Sequence, residues 1–429
     1  MRSTYAVATV TMTLLLAVGC SSLSKAPPAS QVTTPARAEA VTIKVGATQQ
    51  EKYYMEKILI PAFVAAHPDY LVEVVTFEDR DQQPMKEAIR AGQVDVVCTQ
   101  RMSRAEIPLF IRELDAYLAK DGGDLAPYGP VLDGLRRDGR TYDLPYLTQM
   151  GMFVYNVDMT KAAGVTIPAD GWTWDQFRAA VAKLSQGVGN EKIWGLETDK
   201  HEMLTQLWVE GKTGKPVWEA ELNTLREAIG LFHTMAFTDE SLVPAPAWTI
   251  TAAGTQYSYG HTFLGALKGR KAAMGFEESV DVSSLLYLLK QFPWDVAPMP
   301  SVPGRHPVVP VYPFTLGMAA GTGRPDAAWD FISFAAGPEG AAVLARAGHM
   351  PAYRTEATRK AWDENQAGYP PGVNSMWHGT WRLSSYTSVI GNEPVQRHAE
   401  FQKAQNWALS GRKSVKDALG WFVAHEGGT

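Results

Sequence analysis

The stretch Thr141-Tyr-Asp-Leu-Pro-Tyr-Leu-Thr-Gln-Met-Gly-Met-Phe-Val-Tyr-Asn-Val-Asp-Met-Thr-Lys-Ala-Ala-Gly-Val165, continued by Ile167-Pro168 and Trp172-Thr-Trp-Asp-Gln-Phe177, decides how the chain is read. Met150 to Val154 is apolar with little polar relief, as in a strand buried on both faces in the middle of a sheet. Pro145 holds Leu144 extended, and Gly151 lets backbone or ligand come close. Asn156-Val157-Asp158 turns the chain, and Gly164 ends a short helical turn after Lys161. Thr173 and Gln176 have capping-box spacing, so a helix is expected from Trp174, with Phe177, Val181 and Leu184 on one face.

Working outward, 429 residues exceed what one core usually holds, so two domains or lobes are expected. A net charge of −5, with no long Lys/Arg run, offers no surface to nucleic acid. Arg2 precedes the uncharged run Tyr5–Val18, which is too short to span a bilayer and reads as a secretory signal. Cys20, directly after Val18-Gly19, resembles the lipidated cysteine of a bacterial lipobox, with Ala17 where Leu is usual. The alternative is an ordinary signal peptide in which Cys20 is incidental. Residues 21–40, with Pro27, Pro28 and Pro35 and few bulky apolar side chains, cannot repay ordering and read as a flexible tether. The protein is therefore expected outside the cytoplasm, lipid-anchored to a bacterial cell membrane. Cys98 is the only other cysteine, so no internal disulfide is expected, and its place at the end of an apolar run marks it as a buried filler.

Val41 to Gly46 reads as the first strand. A helical stripe follows from Met55 through Ile58, Leu59, Ala62, Phe63 and Ala66, kinked at Pro61. Then come a strand at Leu71–Val75, a helix with Met85, Ala88 and Ile89 on one side, and a strand at Val94–Cys98. Alternation of this kind builds a parallel sheet, whose ligands gather where the strands end. The first-body contact candidates are accordingly Gln49 and Gln50 after the first strand, Asp79 after the second, and Thr99, Gln100 and Arg101 after the third; solvated loop polarity competes for each. Further on, Glu219 to Phe232 reads as a packed helix, and Gly254 to His261 as a polar aromatic loop whose Tyr257 and Tyr259 suit a sugar site.

The central stretch resembles the middle of the family-one extracellular solute-binding proteins, the carbohydrate-binding subunits of bacterial ATP-driven (ABC) importers. The family's series is matched by Leu144, Pro145, Gly151, Tyr155, Asn156, Asp158, Ala163, Gly164, Val165, Pro168, Trp172, Thr173, Trp174, Asp175 and Phe177. Gly92 with Asp95-Val96-Val97, Leu114 to Leu118, Leu267 to Gly275, Phe292 to Pro300, Pro325 to Gly340 and Ser414 to Leu419 extend the resemblance in family order from about Ile43 to Leu419.

The resemblance implies an α/β, two-lobed periplasmic-binding-protein-like fold, each lobe a mostly parallel sheet flanked by helices and joined by a hinge. It divides the chain into a signal peptide (1–20), a tether (21–40), a first lobe (41–148 and 276–322) and a second lobe (149–275 and 323–429). Crossings are expected near Gln149–Gly151, Met274 and Gly321. It also implies that Glu277 and Glu278 sit at the cleft mouth just past a return strand, and that Gln149 is a polar contact on the first crossing strand. Tyr146, Trp208, Trp377 and Trp381 complete the candidates from the crossover and second lobe. Relatives often carry a stacking aromatic past the third strand, where Thr99 to Arg101 stand here, which favours a smaller or more polar ligand, or stacking from elsewhere.

Neither catalytic motif nor close metal-ligand spacing appears among the nine histidines, and no cofactor is called for. The chain is expected to be a monomeric, non-enzymatic receptor that captures a sugar or oligosaccharide between its lobes and presents it to importer permease subunits. The same scaffold holding a peptide or polyamine, or an exported carbohydrate-active enzyme, are the alternatives.

Overall fold

A computed structural model describes residues 40–78, 82–100, 102–245, 249–251, 254–256, 267–280, 282–364, 368–379, 381–384 and 395–425. The leader, Cys20 and the tether lie outside the described residues.

Strand β4 (Asp143–Asn156) is the axis of the fold, and of its fourteen residues only Tyr155 is not fully buried. At about 3.3 Å per residue it runs roughly 45 Å, long enough to thread two bodies. The other strands, in chain order, are β1 (Val41–Ala47), β2 (Tyr70–Thr76), β3 (Val96–Cys98), β5 (Trp194–Glu197), β6 (Thr249–Thr251), β7 (Gly254–Gln256), β8 (Ala272–Val280), β9 (Trp294–Ala297), β10 (Val308–Val309), β11 (Val311–Met318) and β12 (Arg382–Leu383). The main sheet runs β2-β1-β3-β11-β4-β8-β5, with β9 also on β4. β2, β1 and β3 pair in parallel at one end, as do β5 and β8 at the other. Between them β11 and β4 run antiparallel to their neighbours, so two parallel edges share one continuous ladder.

That ladder passes through two main apolar cores. Leu144, Tyr146 and Leu147 of β4 pack in the first, with β1, β3 and Phe63, whereas Met150, Met152, Phe153 and Val154 pack in the second. β11 crosses in the opposite sense, Val311 lying in the second core and Phe314, Leu316 and Met318 in the first. The register slips between Phe314 and Thr315 and between Met150 and Met152, bulges that bend both strands at the junction. Gly151 N–H donates to the Pro310 carbonyl at 2.8 Å and pins the second bulge. A third passage follows beside them: Thr148 N–H donates to the Met350 carbonyl (2.8 Å) and Ala352 N–H to the Tyr146 carbonyl (3.2 Å).

Local expectations from the chain hold. Thr173 Oγ1 accepts from Gln176 N–H (3.2 Å) while Gln176 Oε1 accepts from Thr173 N–H (2.8 Å), opening helix Trp174–Leu184 on buried Trp174, Phe177, Val181 and Leu184. Pro61 stands at the start of helix Ile60–Ala66, immediately after a π-helical turn over Met55–Leu59. Proline cannot donate back to the preceding turn, and the widened turn absorbs that defect.

The packing departs from the expected boundaries in two places. Residues 276–322 were expected with the first body, yet Phe276, Phe292, Trp294, Val296 and Val308 pack in the second core, because β8 lies between β4 and β5 and β9 pairs with β4. Residues 323–429 were expected with the second, yet helix Pro325–Ala336 buries Ala328, Phe331, Ile332 and Ala335 in the first core, with Phe331 edge-on to Phe63 at 5.1 Å. No crossing occurs near Met274 or Gly321. Gly321 instead abuts helix Gln83–Arg90 so tightly that a Cβ there would lie 2.2 Å from the Ile89 carbonyl oxygen.

Candidate functional site

The junction where β4 leaves the first core collects several candidates. Tyr146 is buried with its ring 6.2 Å from Phe314, and its hydroxyl has no hydrogen-bond partner; burial pushes the phenol far above its usual pKa. Gln149, 7% exposed, donates from Nε2 to the Tyr54 hydroxyl at a long 3.5 Å. Tyr54 stands edge-on to His349 (5.1 Å) and to Phe314 (5.5 Å), which closes this wall.

A second group of side chains comes from the C-terminal third. Arg354 donates its backbone N–H to the Pro127 carbonyl at 3.0 Å, on the side of the first core. Its guanidinium lies against two indoles of the second, 4.3 Å from the Trp377 ring and 4.9 Å from the Trp381 ring. Among the described residues the guanidinium's one hydrogen-bond acceptor is the Met150 thioether, 3.8 Å from Nη2. Burial first, then repulsion from Arg359, pushes its pKa down to about 9, so the charge persists at neutral pH. The Trp377 and Trp381 indole N–H groups are buried without acceptors. Trp377 continues an aromatic stack through Trp362 (5.5 Å) to Tyr369 (5.4 Å), which holds it rigidly. Beside Trp381 opens a cavity of about 310 Å³, lined among others by Asp170, Met299, Ser301, Arg305, His306 and Met376.

Of the expected contacts, Tyr146 and Gln149 lie by Phe314 and Tyr54, and Trp377 and Trp381 lie against Arg354. Gln49 and Gln50 are exposed at the start of helix Gln49–Tyr54. Thr99 is excluded: its hydroxyl donates to Asp143 (2.7 Å) and pairs with the Thr315 hydroxyl (2.7 Å) inside the sheet, so the polarity expected at a strand end is consumed there. Gln100 is half-buried beyond β3. Trp208 is half-buried against the second core, capped by the Lys212 ammonium at 4.9 Å. Glu277 and Glu278 lie within β8, Glu277 paired with Met152, and not in a loop past the strand as expected, because β8 continues to Val280. Asp79, Arg101, Tyr257 and Tyr259 lie outside the described residues.

Arg354 and, Trp381 apart, the residues of the cavity had no signal in the sequence. Arg354 follows Met350-Pro351-Ala352-Tyr353 with no motif or periodicity around it, and its ring partners lie 23 and 27 positions later in numbering. Glu197, at the end of β5, is a further buried acid: burial, with Asp199 beside it, pushes its carboxyl up to about 8. Among the described residues no group of His, Cys, Asp and Glu is placed to hold a metal ion, and no helix is long and apolar enough to cross a membrane.

A family model described as bacterial extracellular solute-binding protein matches residues 46–342, well over half of the chain. The chain belongs to this family. The solute-binding proteins of this family serve ABC importers and bind their solutes without converting them. An uncharacterized lipoprotein encoded in the oleD 5′ region of Streptomyces antibioticus is 25% identical over 410 residues, covering 92% of this chain and 84% of that one. The fold is that of a sugar transporter from Rhizobium etli solved in an open conformation (TM-score 0.75, 23% identity, 91% of this chain and 100% of that one). It is equally that of the sugar-binding protein MalE from Xanthomonas citri (TM-score 0.69, 16% identity, 90% and 97%). This solute-binding protein therefore has the two-lobed, mixed α/β architecture expected of it. Arg354, Trp377 and Trp381 all lie beyond the matched segment, which ends at residue 342.

Proposed function

We propose that this solute-binding protein captures a sugar or oligosaccharide at the β4–β11 junction and delivers it, as a monomer, to the permease subunits of an ABC importer. The observation that carries this reading is that β4, passing between the cores, holds Gln149 against Tyr54 and, one residue on, Met150 against Arg354, which rests on Trp377 and Trp381. A solute held there touches both bodies, so binding favours whichever arrangement brings them together. Hinge closure of periplasmic binding proteins is a known form of such motion. Micromolar capture needs about −8 kcal/mol, within reach of a few hydrogen bonds and one or two stacked rings. Attachment through lipid on Cys20 by way of residues 21–40 completes the proposal, supported by the lipoprotein relative.

The test is a thermal-shift screen over sugars, peptides and polyamines, followed by calorimetry on Gln149→Ala. A sugar should raise Tm, and Gln149→Ala should weaken its binding by roughly 10-fold with little loss of stability. Unchanged affinity removes Gln149 from the site, and a screen in which only peptides bind removes the sugar. Polyamines are disfavoured because Arg354 would repel them. For the anchor, Cys20→Ser should move the protein from the membrane fraction to the soluble one.

A further inference from the structure

We propose that the solute carries an anionic group, a carboxylate or a phosphate on a sugar-sized molecule, and that Arg354 is its anchor. The inference deepens the solute-binding reading and rests on it.

A half-buried arginine resting on apolar rings ordinarily has a carboxylate beside it, because an unpaired charge drawn away from water is costly. Arg354 has none among the described residues: no ion pair involves it, and the charge that perturbs it is another cation, Arg359. The two indoles satisfy only the faces of the guanidinium. Its in-plane N–H groups, the fork that matches a carboxylate or phosphate edge-on, meet nothing better than the Met150 sulfur at 3.8 Å. The side chain is half-buried, not sealed, so a ligand can reach it.

Its position is as telling as its want of a partner. The backbone of Arg354 is tied to Pro127 beside the first core while its guanidinium rests on rings of the second, so an anion held there bears on both bodies. Trp381, but not Arg354 itself, lines the neighbouring cavity of about 310 Å³, close to the lower end of volumes that hold small molecules. Two further basic side chains, Arg305 and His306, line that cavity against one carboxylate, Asp170. The protein's net charge of −5 gives no general attraction for anions, so the selectivity has to be local.

The alternative is that Arg354 is a structural clip between two tryptophans, and the experiment separates the two. Calorimetry and thermal shift on the full chain would compare glucose with glucuronate and glucose 6-phosphate, galactose with galacturonate, and glycerol with glycerol 3-phosphate. At least one acidic member should bind 10-fold or more tightly than its neutral counterpart, and the carboxylate and phosphate arms say which group is read. Arg354→Gln should erase that preference, and Arg354→Lys, which keeps the charge but loses the fork, should restore part of it. A neutral sugar that binds more tightly than its acidic partner overturns this proposal and leaves the solute-binding reading standing. Equal weakening of neutral and acidic solutes by Arg354→Gln also overturns it. Failure of every sugar, acidic or neutral, overturns both. The wild-type pairs decide the matter even if a variant does not fold.

Discussion

The start and the middle of the crossing strand β4 handle charge in opposite ways. At its start, Asp143 accepts from Thr99 Oγ1 at 2.7 Å and from Arg137 Nη1 at 3.2 Å, and Thr99 passes the network on to Thr315. In the middle of the same strand, Met150 offers only a thioether to Arg354. The first is a closed network that holds β3, β4 and β11 in register, whereas the second is left for something outside the chain to complete. Asp143 is buried and Arg354 half-buried; satisfaction of the polar groups tells a strut from a site.

Four substitutions test that contrast, beginning with the largest effect. Asp143→Ala should cost about 3–5 kcal/mol, because it leaves Arg137 and Thr99 buried without their acceptor. Chemical denaturation measures this, and a loss below about 1 kcal/mol would mean the network is not the strut described here. Glu197 extends the comparison to an uncompensated acid. Its carboxyl is raised from near 4.5 to about 8, so between those values the folded chain holds a proton that the unfolded chain releases. Stability on its account is full below pH 4.5 and falls as pH rises through 8. Glu197→Gln should thus leave Tm nearly unchanged at pH 4.5 and raise it by several degrees at pH 9; a difference independent of pH would refute the shift.

Smaller effects follow. Thr173→Ala removes one half of the capping box and should lower stability by about 1 kcal/mol, read as a fall in Tm with no change in ligand affinity. Arg354→Met should change the stability of the ligand-free protein least of all, by less than about 1 kcal/mol in either direction, since an apolar chain can keep the contact with the indoles while the unpaired charge is lost. A loss comparable to that of Asp143→Ala would make Arg354 a strut after all and abolish the distinction between the start and the middle of β4.

Much was legible in the chain itself. The buried strand at Met150–Val154, the box at Thr173 and Gln176 and the amphipathic helices all follow from local spacing, because period and capping depend on neighbours a few residues apart; the family order came from the resemblance. The resemblance and the aromatic character of the side chains named Tyr146, Gln149, Trp377 and Trp381 as candidates; the first two lie by Phe314 and Tyr54 and the last two by Arg354. What local spacing could not say is which partner each face would meet. An apolar stripe fits any free sheet face, so helix Pro325–Ala336 went to the first core and β8 to the second against expectation. A hydroxyl at a strand end reads as available until Asp143 and Thr315 arrive from 44 and 216 residues away to claim Thr99. Arg354 is the converse case, an ordinary arginine until folding lays it against two indoles with no carboxylate beside it among the described residues. Sequence determined the elements and their order; the long-range contacts made only in the folded chain decided which polar groups were spent and which were left open.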